Sequence, residues 1–82
     1  MLTSETYNST ISENDHVLIE YYSPTCGHCV NLAPEYEKLA TELKNSESSY
    51  VVAAVNMKDQ QAIGDWVSIN GFPTIRFYIK GL

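Results

Sequence analysis

The two cysteines of this 82-residue chain, Cys26 and Cys29, are the residues whose type and spacing most directly indicate chemistry. An apolar run at 17–22 precedes them and an amphipathic run at 32–43 follows, so we predict that both lie where a strand passes into a helix. The first turn of a helix carries unpaired N–H groups and the positive end of the helix dipole, which together favour an anion. We therefore expect Cys26 to ionise more easily than a free thiol and to act as a nucleophile.

Cys29 follows Cys26 at the i+3 position, one helical turn later on the same face. It is therefore placed to attack any mixed disulfide that Cys26 forms with another molecule. A bond between these two cysteines would close a very short loop, which stabilises a fold little, and two cysteines are too few for a disulfide scaffold. The pair indicates thiol–disulfide chemistry rather than a structural bridge.

The composition excludes several classes of partner. Ten acidic residues against five basic ones give a net charge of −5, so the chain lacks the cationic surface that nucleic acid or anionic lipid requires. The longest apolar run, at 50–55, is far shorter than the about 20 residues of a membrane span. We predict one soluble domain over 1–82 with no nucleic-acid and no membrane partner. A leader before Thr3 and a retention signal after Lys80 are not evident, so we expect the compartment to be encoded elsewhere.

The elements before the cysteines are predicted to be a helix and a central strand. Thr3 or Ser4 can cap the helix, which places Tyr7 on its buried side. The strand at 17–22 is apolar on both faces except at one position, which is the pattern of a strand covered on each side.

The exception is Glu20, and two interpretations of its carboxylate remain open. It is either a charge at an edge or end of the strand, or a carboxylate buried beneath the cysteines. In the second case desolvation raises its pKa, and the group relays protons to Cys29.

A kinked helix is predicted after the cysteines. Its apolar positions recur at steps of four, three and four, at Leu32, Tyr36, Leu39 and Leu43. Pro34 lies inside this pattern, where it removes one backbone hydrogen bond and kinks the helix.

The second half of the chain predicts a strand, a helix and a further strand. Residues 50–55 are predicted to form a buried strand, and Asp59 to cap a helix that carries Trp66 in the core. A turn at 70–74 then leads to alternating residues at 75–79, which are typical of an antiparallel strand with one face less buried. The order of elements is αβαβαβ.

Residues 21–29, the helix that contains Pro34 and the turn at 71–74 together resemble the thioredoxin fold, and in detail a catalytic domain of protein disulfide isomerase. The resemblance extends over nearly the whole chain and implies an α/β fold with three layers, α/β/α, around a mixed sheet. The family's fold continues after Gly81 with an edge strand and a last helix. We therefore expect the domain at 1–82 to be incomplete at its C-terminus, without that final strand and helix.

The same resemblance implies a role for each residue around the cysteine pair. Cys26 corresponds to the attacking thiolate and Cys29 to the resolving thiol. His28, which follows Gly27 between them, corresponds to the residue that stabilises the thiolate and so makes the disulfide more oxidising. Glu20 matches the family's buried acid.

The resemblance also implies a substrate-binding surface. Pro73 is expected to follow a cis peptide bond and to lie beside Cys26, with the backbone at Phe72 pairing with an extended substrate. Thr25 stands where the family usually has Trp, which removes an aromatic wall from this surface.

Further positions depart from the family. Ala54 stands where the family usually has a Lys that partners the buried acid, Val30 replaces a common Lys, and Ser68 replaces a common helix-ending Gly. Because the final strand and helix are expected to be absent, we predict exposed apolar surface along the strand that contains Phe77.

These features predict a thiol–disulfide oxidoreductase or isomerase that forms and rearranges disulfides in proteins through its Cys-Gly-His-Cys dithiol. We expect no cofactor other than the redox-active disulfide between Cys26 and Cys29. The expected partners are unfolded or misoxidised proteins, with glutathione or an upstream oxidase to renew the disulfide. By resemblance the compartment is the lumen of the endoplasmic reticulum.

Two alternatives belong to other classes of function. A chaperone-like domain would use the groove at Phe72 and Pro73 to hold unfolded chains with little redox turnover, although such a binder has no need of two cysteines. A zinc site would need four ligands, and Cys26, Cys29, His28 and the distant loop residue His16 form a poor set, so no metal is predicted. Haem attachment is excluded because Val30 rather than His follows the second cysteine.

Overall fold

The computed structural model describes residues 1–46 and 49–80, in which helices and strands alternate in the predicted order. The elements are α1 (Tyr7–Glu13), β1 (His16–Tyr22), α2 (Gly27–Asn45), β2 (Tyr50–Asn56), α3 (Gln61–Trp66) and β3 (Thr74–Ile79). Lys80 and Gly81 also predict a turn, of which Gly81 lies outside the described residues.

β1 is the central strand of the three-stranded sheet that these residues form, with strand order β2-β1-β3. It pairs in parallel with β2 and antiparallel with β3. The predicted mixed sheet and the antiparallel direction of the last strand are therefore confirmed. Because β1 has a neighbour on each side and cover on both faces, its side chains are the most buried of the three strands.

One face of the sheet carries the main hydrophobic core. Val17, Ile19 and Tyr21 alternate along β1, point to this face and are fully buried. Tyr7 of α1 and Ile63 of α3 belong to the same cluster of buried residues. Helices α1 and α3 therefore form one outer layer.

Three tyrosine hydroxyls meet inside this layer. The Tyr7 and Tyr21 hydroxyl oxygens are 2.6 Å apart, those of Tyr21 and Tyr78 are 2.9 Å apart, and those of Tyr7 and Tyr78 are 3.4 Å apart. Burial raises the pKa of Tyr7 to about 12 and also raises that of Tyr21. For Tyr78 burial acts to raise the pKa, but hydrogen bonds from Tyr21 and Tyr7 and the nearby Arg76 outweigh it and lower the pKa. The buried hydroxyls thus satisfy one another.

Helix α2 covers the opposite face and is attached through Tyr36. The Tyr36 hydroxyl lies 3.1 Å from the carbonyl oxygen of Leu18 on β1 and 2.6 Å from that of Ala53 on β2, and it donates to this pair of acceptors. Burial raises the pKa of Tyr36 to about 12, so the hydroxyl keeps its proton and remains a donor. The three-layer α/β/α arrangement is complete with α2.

The N-terminal segment lies along the outer edge of β2. The Leu2 N–H donates to the carbonyl of Ala54 at 2.8 Å, and the hydroxyl of Thr3 accepts from the N–H of Glu5 at 3.3 Å. Thr3 therefore caps a turn that leads into α1, but α1 itself begins four residues later, at Tyr7.

Three sequence-based expectations about single residues are wrong. Trp66 is 49% exposed because α3 is only six residues long and ends at Trp66, which leaves the indole at the periphery, 5.9 Å from the Tyr7 ring. Asp59 does not cap α3: the N-cap residue is Gln60, and the Asp59 carboxylate instead accepts from the side-chain amide of Asn56 at 3.2 Å. His16 is the first residue of β1 rather than a loop residue.

Burial along the outer strands follows their edge positions. Of the residues of β2, only Val55 is fully buried. The prediction of a buried strand is therefore correct for Val55 and wrong for the other residues, which are half-buried or exposed. On β3, Ile75, Phe77 and Ile79 are 40–48% exposed on the face that α2 covers elsewhere. The predicted exposed apolar surface along β3 is confirmed. Of the helices in the described residues, none is long and apolar enough to cross a membrane.

The attachment of α2 through Tyr36 predicts the effect of removing one oxygen atom. Tyr36→Phe should lower the free energy of unfolding by about 1 to 2 kcal/mol, because a buried donor is lost from two strand carbonyls. Urea denaturation followed by circular dichroism measures the loss.

Tyr22→Phe is the matched control, since the Tyr22 hydroxyl donates only to the Met1 sulfur, at 3.4 Å, near the surface. We expect its effect to be at most a few tenths of a kcal/mol. Equal losses in the two variants would contradict the role given to Tyr36.

Candidate active site

A short turn passes the chain from β1 to α2. After Tyr22 ends β1, the carbonyl of Ser23 accepts from the N–H of Cys26 at 3.1 Å. The hydroxyls of Ser23 and Thr25 are hydrogen-bonded at 3.0 Å. The predicted passage from strand to helix at the cysteines is confirmed, and it places Cys26 at the helix entrance.

Cys26 is the N-cap residue of α2. Its backbone is extended, with φ −83° and ψ 117°, and its sulfur accepts a hydrogen bond from the Cys29 N–H at 3.2 Å. The sulfur thus takes the place of the Ser or Asp oxygen that usually satisfies an unpaired N–H at a helix start. The Cys26 sulfur therefore lies at the positive end of the helix dipole with a donor directed at it.

Cys29 has a different environment. Its side chain is only 4% exposed, whereas Cys26 is half-buried, and both are free thiols. Burial raises the pKa of the Cys29 thiol, and its hydrogen bond with Cys26 and the charges on Cys26 and Glu20 raise it further, against a smaller opposing hydrogen bond from Ser23. The two thiols are adjacent but unequal: Cys26 is accessible, and Cys29 is protected and held in its neutral form.

Glu20 is buried in the sheet behind the cysteines. Its residue is 5% exposed, and its Oε2 atom is buried without a hydrogen-bond partner. Burial raises the pKa of this carboxyl. Of the two interpretations that the sequence left open, the structure supports the buried carboxylate, and its charge acts on Cys29.

The remaining residues of the motif lie on the surface. Gly27 and His28 are the first two residues of α2, and both are exposed, as is Thr25. A Cβ added at Gly27 would meet no atom within 4 Å. The roles assigned to His28, Gly27 and Thr25 by resemblance stay predictions.

The turn before β3 has the predicted backbone. The peptide bond between Phe72 and Pro73 is cis, and the Phe72 side chain is 41% exposed. The hydroxyl of Thr74 donates to the carbonyl of Gly71 at 2.6 Å and closes the turn. The substrate-binding role of Phe72 and Pro73 stays a prediction.

His16 lies far from the cysteines. It begins β1, whereas the cysteines follow its end, and a seven-residue strand is about 20 Å long. Its ring stacks on Phe77 with centroids 5.9 Å apart and contacts the edge of Tyr50 at 4.8 Å. His16 therefore cannot share a metal ion with Cys26 and Cys29.

A cavity beside Glu20 was not foreseen from the sequence. It has a volume of about 190 Å³, and its walls come from β1, β2, α2 and the N-terminus, at Met1, Glu20, Tyr22, Ala33, Tyr36, Glu37 and Ala54. Two signals pointed to it: a carboxylate in an apolar strand, and alanine at its register partner on β2, Ala54. Neither signal reveals the volume, which depends on how α2 is seated.

Comparison with known proteins identifies one family. The thioredoxin family description matches residues 1–82. The chain is 43% identical over 82 residues to protein disulfide isomerase-like 2-1 of Oryza sativa subsp. japonica, covering 99% of this chain and 22% of that relative. It is 36% identical over 81 residues to protein disulfide-isomerase A4 of Rattus norvegicus, covering 99% of this chain and 13% of that relative. The chain thus spans about a fifth or less of the length of these relatives.

Among solved structures, the solution structure of the first thioredoxin domain of mouse protein disulfide-isomerase A4 superposes with a TM-score of 0.84 at 34% identity. The match covers 99% of this chain and 58% of that one. The predicted thioredoxin fold is therefore confirmed.

The unequal environments of the two thiols predict their reactivity. In the reduced protein at about pH 8, iodoacetamide should alkylate Cys26 at least about tenfold faster than Cys29, because Cys29 is buried and its raised pKa leaves less thiolate. Mass spectrometry of timed digests gives both rates.

The variants Cys26→Ala and Cys29→Ala serve as matched controls, since each leaves one thiol. The thiol in Cys26→Ala should remain slow because its burial persists. Equal rates for the two single-thiol variants would contradict the asymmetry.

The buried carboxyl of Glu20 predicts a pH dependence of stability. Because its pKa is raised from the ordinary value of 4.5, folding favours the protonated form. Its stabilising contribution is full below that value and is lost as pH rises through the folded-state pKa. Glu20→Gln should therefore match the parent protein in acid and exceed its free energy of unfolding near neutrality by about 1 to 3 kcal/mol.

Urea unfolding over a pH series measures this difference, with Glu37→Gln as the control because Glu37 is exposed. A Glu20→Gln variant that is less stable than the parent at neutral pH would show that Glu20 is not an uncompensated buried charge.

Proposed function

The chain belongs to the thioredoxin family, and we propose that it is a thiol–disulfide oxidoreductase that forms and rearranges disulfides in protein substrates through Cys26 and Cys29. The observation that carries the proposal is the hydrogen bond from the Cys29 N–H to the Cys26 sulfur, with the Cys29 side chain buried one turn below. This arrangement separates a nucleophile that substrates can reach from a thiol that they cannot.

In the first step the Cys26 thiolate attacks one sulfur of a substrate disulfide. The substrate S–S bond breaks, a bond forms between Cys26 and the attacked sulfur, and the other substrate sulfur leaves as a thiolate. The N–H of Cys29 holds Cys26 at the helix entrance for this attack. The product is a mixed disulfide between the enzyme and its substrate.

In the second step Cys29 resolves the mixed disulfide. Its thiol must first lose a proton, and the unpartnered Glu20 carboxylate is the acceptor that we propose. The Cys29 thiolate then attacks the Cys26 sulfur, the substrate sulfur leaves with the bonding electrons, and the Cys26–Cys29 disulfide remains. Isomerisation occurs when a second substrate thiol attacks before Cys29 does.

Oxidation of a substrate is the reverse sequence. A substrate thiolate attacks the Cys26 sulfur of the enzyme disulfide, and Cys29 leaves as the thiolate and takes up a proton. A second substrate thiol, once deprotonated, then attacks the substrate sulfur of the mixed disulfide, so the substrate disulfide forms and Cys26 leaves as the thiolate. Glutathione disulfide or an upstream oxidase restores the enzyme disulfide. We include the endoplasmic reticulum lumen in this proposal because of the resemblance to protein disulfide isomerase.

Substrate binding is proposed at the exposed turn around Phe72. Phe72 and Thr25 are exposed, and Pro73 is half-buried, so this surface is open to an extended chain. The exposed ring of Phe72 also favours the second candidate function, a domain that holds unfolded chains with little redox turnover. The two candidates differ in whether activity requires Cys26.

Refolding of scrambled ribonuclease in a glutathione buffer separates the candidates. Cys26→Ala should lose nearly all isomerase activity, because no other accessible thiol can form the mixed disulfide. Cys29→Ala should accumulate a reducible complex between enzyme and substrate, because the resolving thiol is missing.

Phe72→Ala is the companion variant and should weaken substrate binding while leaving the reaction of Cys26 with small disulfides unchanged. Full refolding activity in Cys26→Ala would favour the binding function and would contradict the oxidoreductase.

A further inference from the structure

The Glu20 cavity, defined by the seven residues already named for its wall, holds a carboxylate without a partner. Glu20 is about nineteen-twentieths buried, and its Oε2 atom has no hydrogen bond. An unpartnered buried carboxylate is costly, because the desolvated charge keeps no compensating contact. Its register partner on β2 is Ala54, whose side chain ends at Cβ and leaves room beside the carboxylate.

The other polar groups of the cavity are occupied or acidic. The Tyr36 hydroxyl donates to strand carbonyls, and the Tyr22 hydroxyl donates to the Met1 sulfur. Glu37, which is exposed, adds a second carboxylate at the rim. Of the side chains that line the cavity, none is basic. The side chains of the cavity therefore present negative charge and no basic group to match it.

We propose that the Glu20 cavity binds a primary ammonium group carried on a short apolar stem, with the Glu20 carboxylate accepting from the ammonium. Met1, Ala33 and Ala54 supply apolar wall for the stem. The volume of about 190 Å³ exceeds the about 150 Å³ of an engineered protein cavity that holds benzene, so a four-carbon amine fits.

The walls favour an ammonium over other ligands. An anion would meet two carboxylates and no basic side chain. A calcium or magnesium ion needs about six or more oxygen ligands, and this cavity offers chiefly two carboxylates and apolar side chains. A compact ammonium needs only a carboxylate acceptor and tolerates apolar contact along its stem.

Binding should also change the electrostatics of the cysteine pair. The groups that act on or face Glu20 are Cys29, Tyr22, Tyr36 and Glu37, and Asp59 acts on Tyr22. These side chains are all neutral or negative, so a bound ammonium adds positive charge beside Glu20. It offsets the charge that disfavours the Cys29 thiolate and should therefore accelerate alkylation of Cys29. The effect on Cys29 rests on the proposed function, in which Cys29 is the resolving thiol, whereas ammonium binding does not depend on it.

The test is a titration of the reduced protein with n-butylammonium at constant ionic strength, followed by ¹⁵N–¹H spectra. We expect saturable shifts at the amides of Glu20 and Ala54, and none with n-butanol, the uncharged analogue. Glu20→Gln should weaken binding by at least about tenfold, as loss of a charge-assisted hydrogen bond implies. The spectra report in the same experiment whether each variant is folded.

Two further variants distinguish the cavity from its rim. Ala54→Leu keeps the carboxylate but fills the space, and it should abolish binding. Glu37→Gln should weaken binding less than Glu20→Gln does. The proposal is overturned by shifts that do not saturate, by equal binding of n-butanol, by unchanged affinity in Glu20→Gln or Ala54→Leu, or by a greater loss in Glu37→Gln.

The ammonium has two natural sources, a free amine or a lysine side chain of another protein. Nα-acetyl-lysine methylamide, titrated in the same way, separates them. Binding of this compound assigns the site to a lysine side chain, and binding of n-butylammonium alone assigns it to a free amine. Because the shifts are read without any redox reaction, a failure of ammonium binding is distinguishable from a failure of the proposed function.

Discussion

The hydrogen bond from the Cys29 N–H to the Cys26 sulfur is the interaction on which the site depends. It requires α2 to begin at Gly27, so that the sulfur of Cys26 meets an N–H that has no partner within the helix. The start of α2 depends in turn on the turn at Ser23, and its seating depends on the contact of Tyr36 with two strands. The geometry of this hydrogen bond therefore depends on how the sheet and the helix are joined.

The same geometry makes the two thiols unequal. A spacing of three residues places both on one side of the helix, but the second is a turn deeper and is buried. Glu20 lies in that buried region, where its charge is uncompensated and acts on Cys29. The buried carboxylate is unfavourable to stability near neutral pH and useful only if it exchanges a proton or binds a cation. Both proposals for Glu20, proton acceptance from Cys29 and binding of an ammonium group, follow from this buried charge without a partner.

Much of the fold and the centre of the site could be predicted from local sequence. The run of apolar residues identified β1 as the central strand, and the two cysteines before an amphipathic pattern located the start of α2. Predictions failed where tertiary contacts decide the outcome. Trp66 is apolar, yet its helix ends with it, so its ring stays at the surface. Asp59 is a good capping residue, but its carboxylate is engaged by the side-chain amide of Asn56. The cavity beside Glu20 arises from the distance between α2 and the sheet, which no single residue encodes.

The central claim is that hydrogen bonding at the helix entrance stabilises the reduced cysteine pair, and its redox equilibrium with glutathione tests this most directly. A hydrogen bond to the Cys26 sulfur of the dithiol stabilises the reduced form and raises the reduction potential. We predict a potential near about −180 mV, in the range of disulfide isomerases. A potential at or below about −270 mV, that of a reducing thioredoxin, would contradict the account.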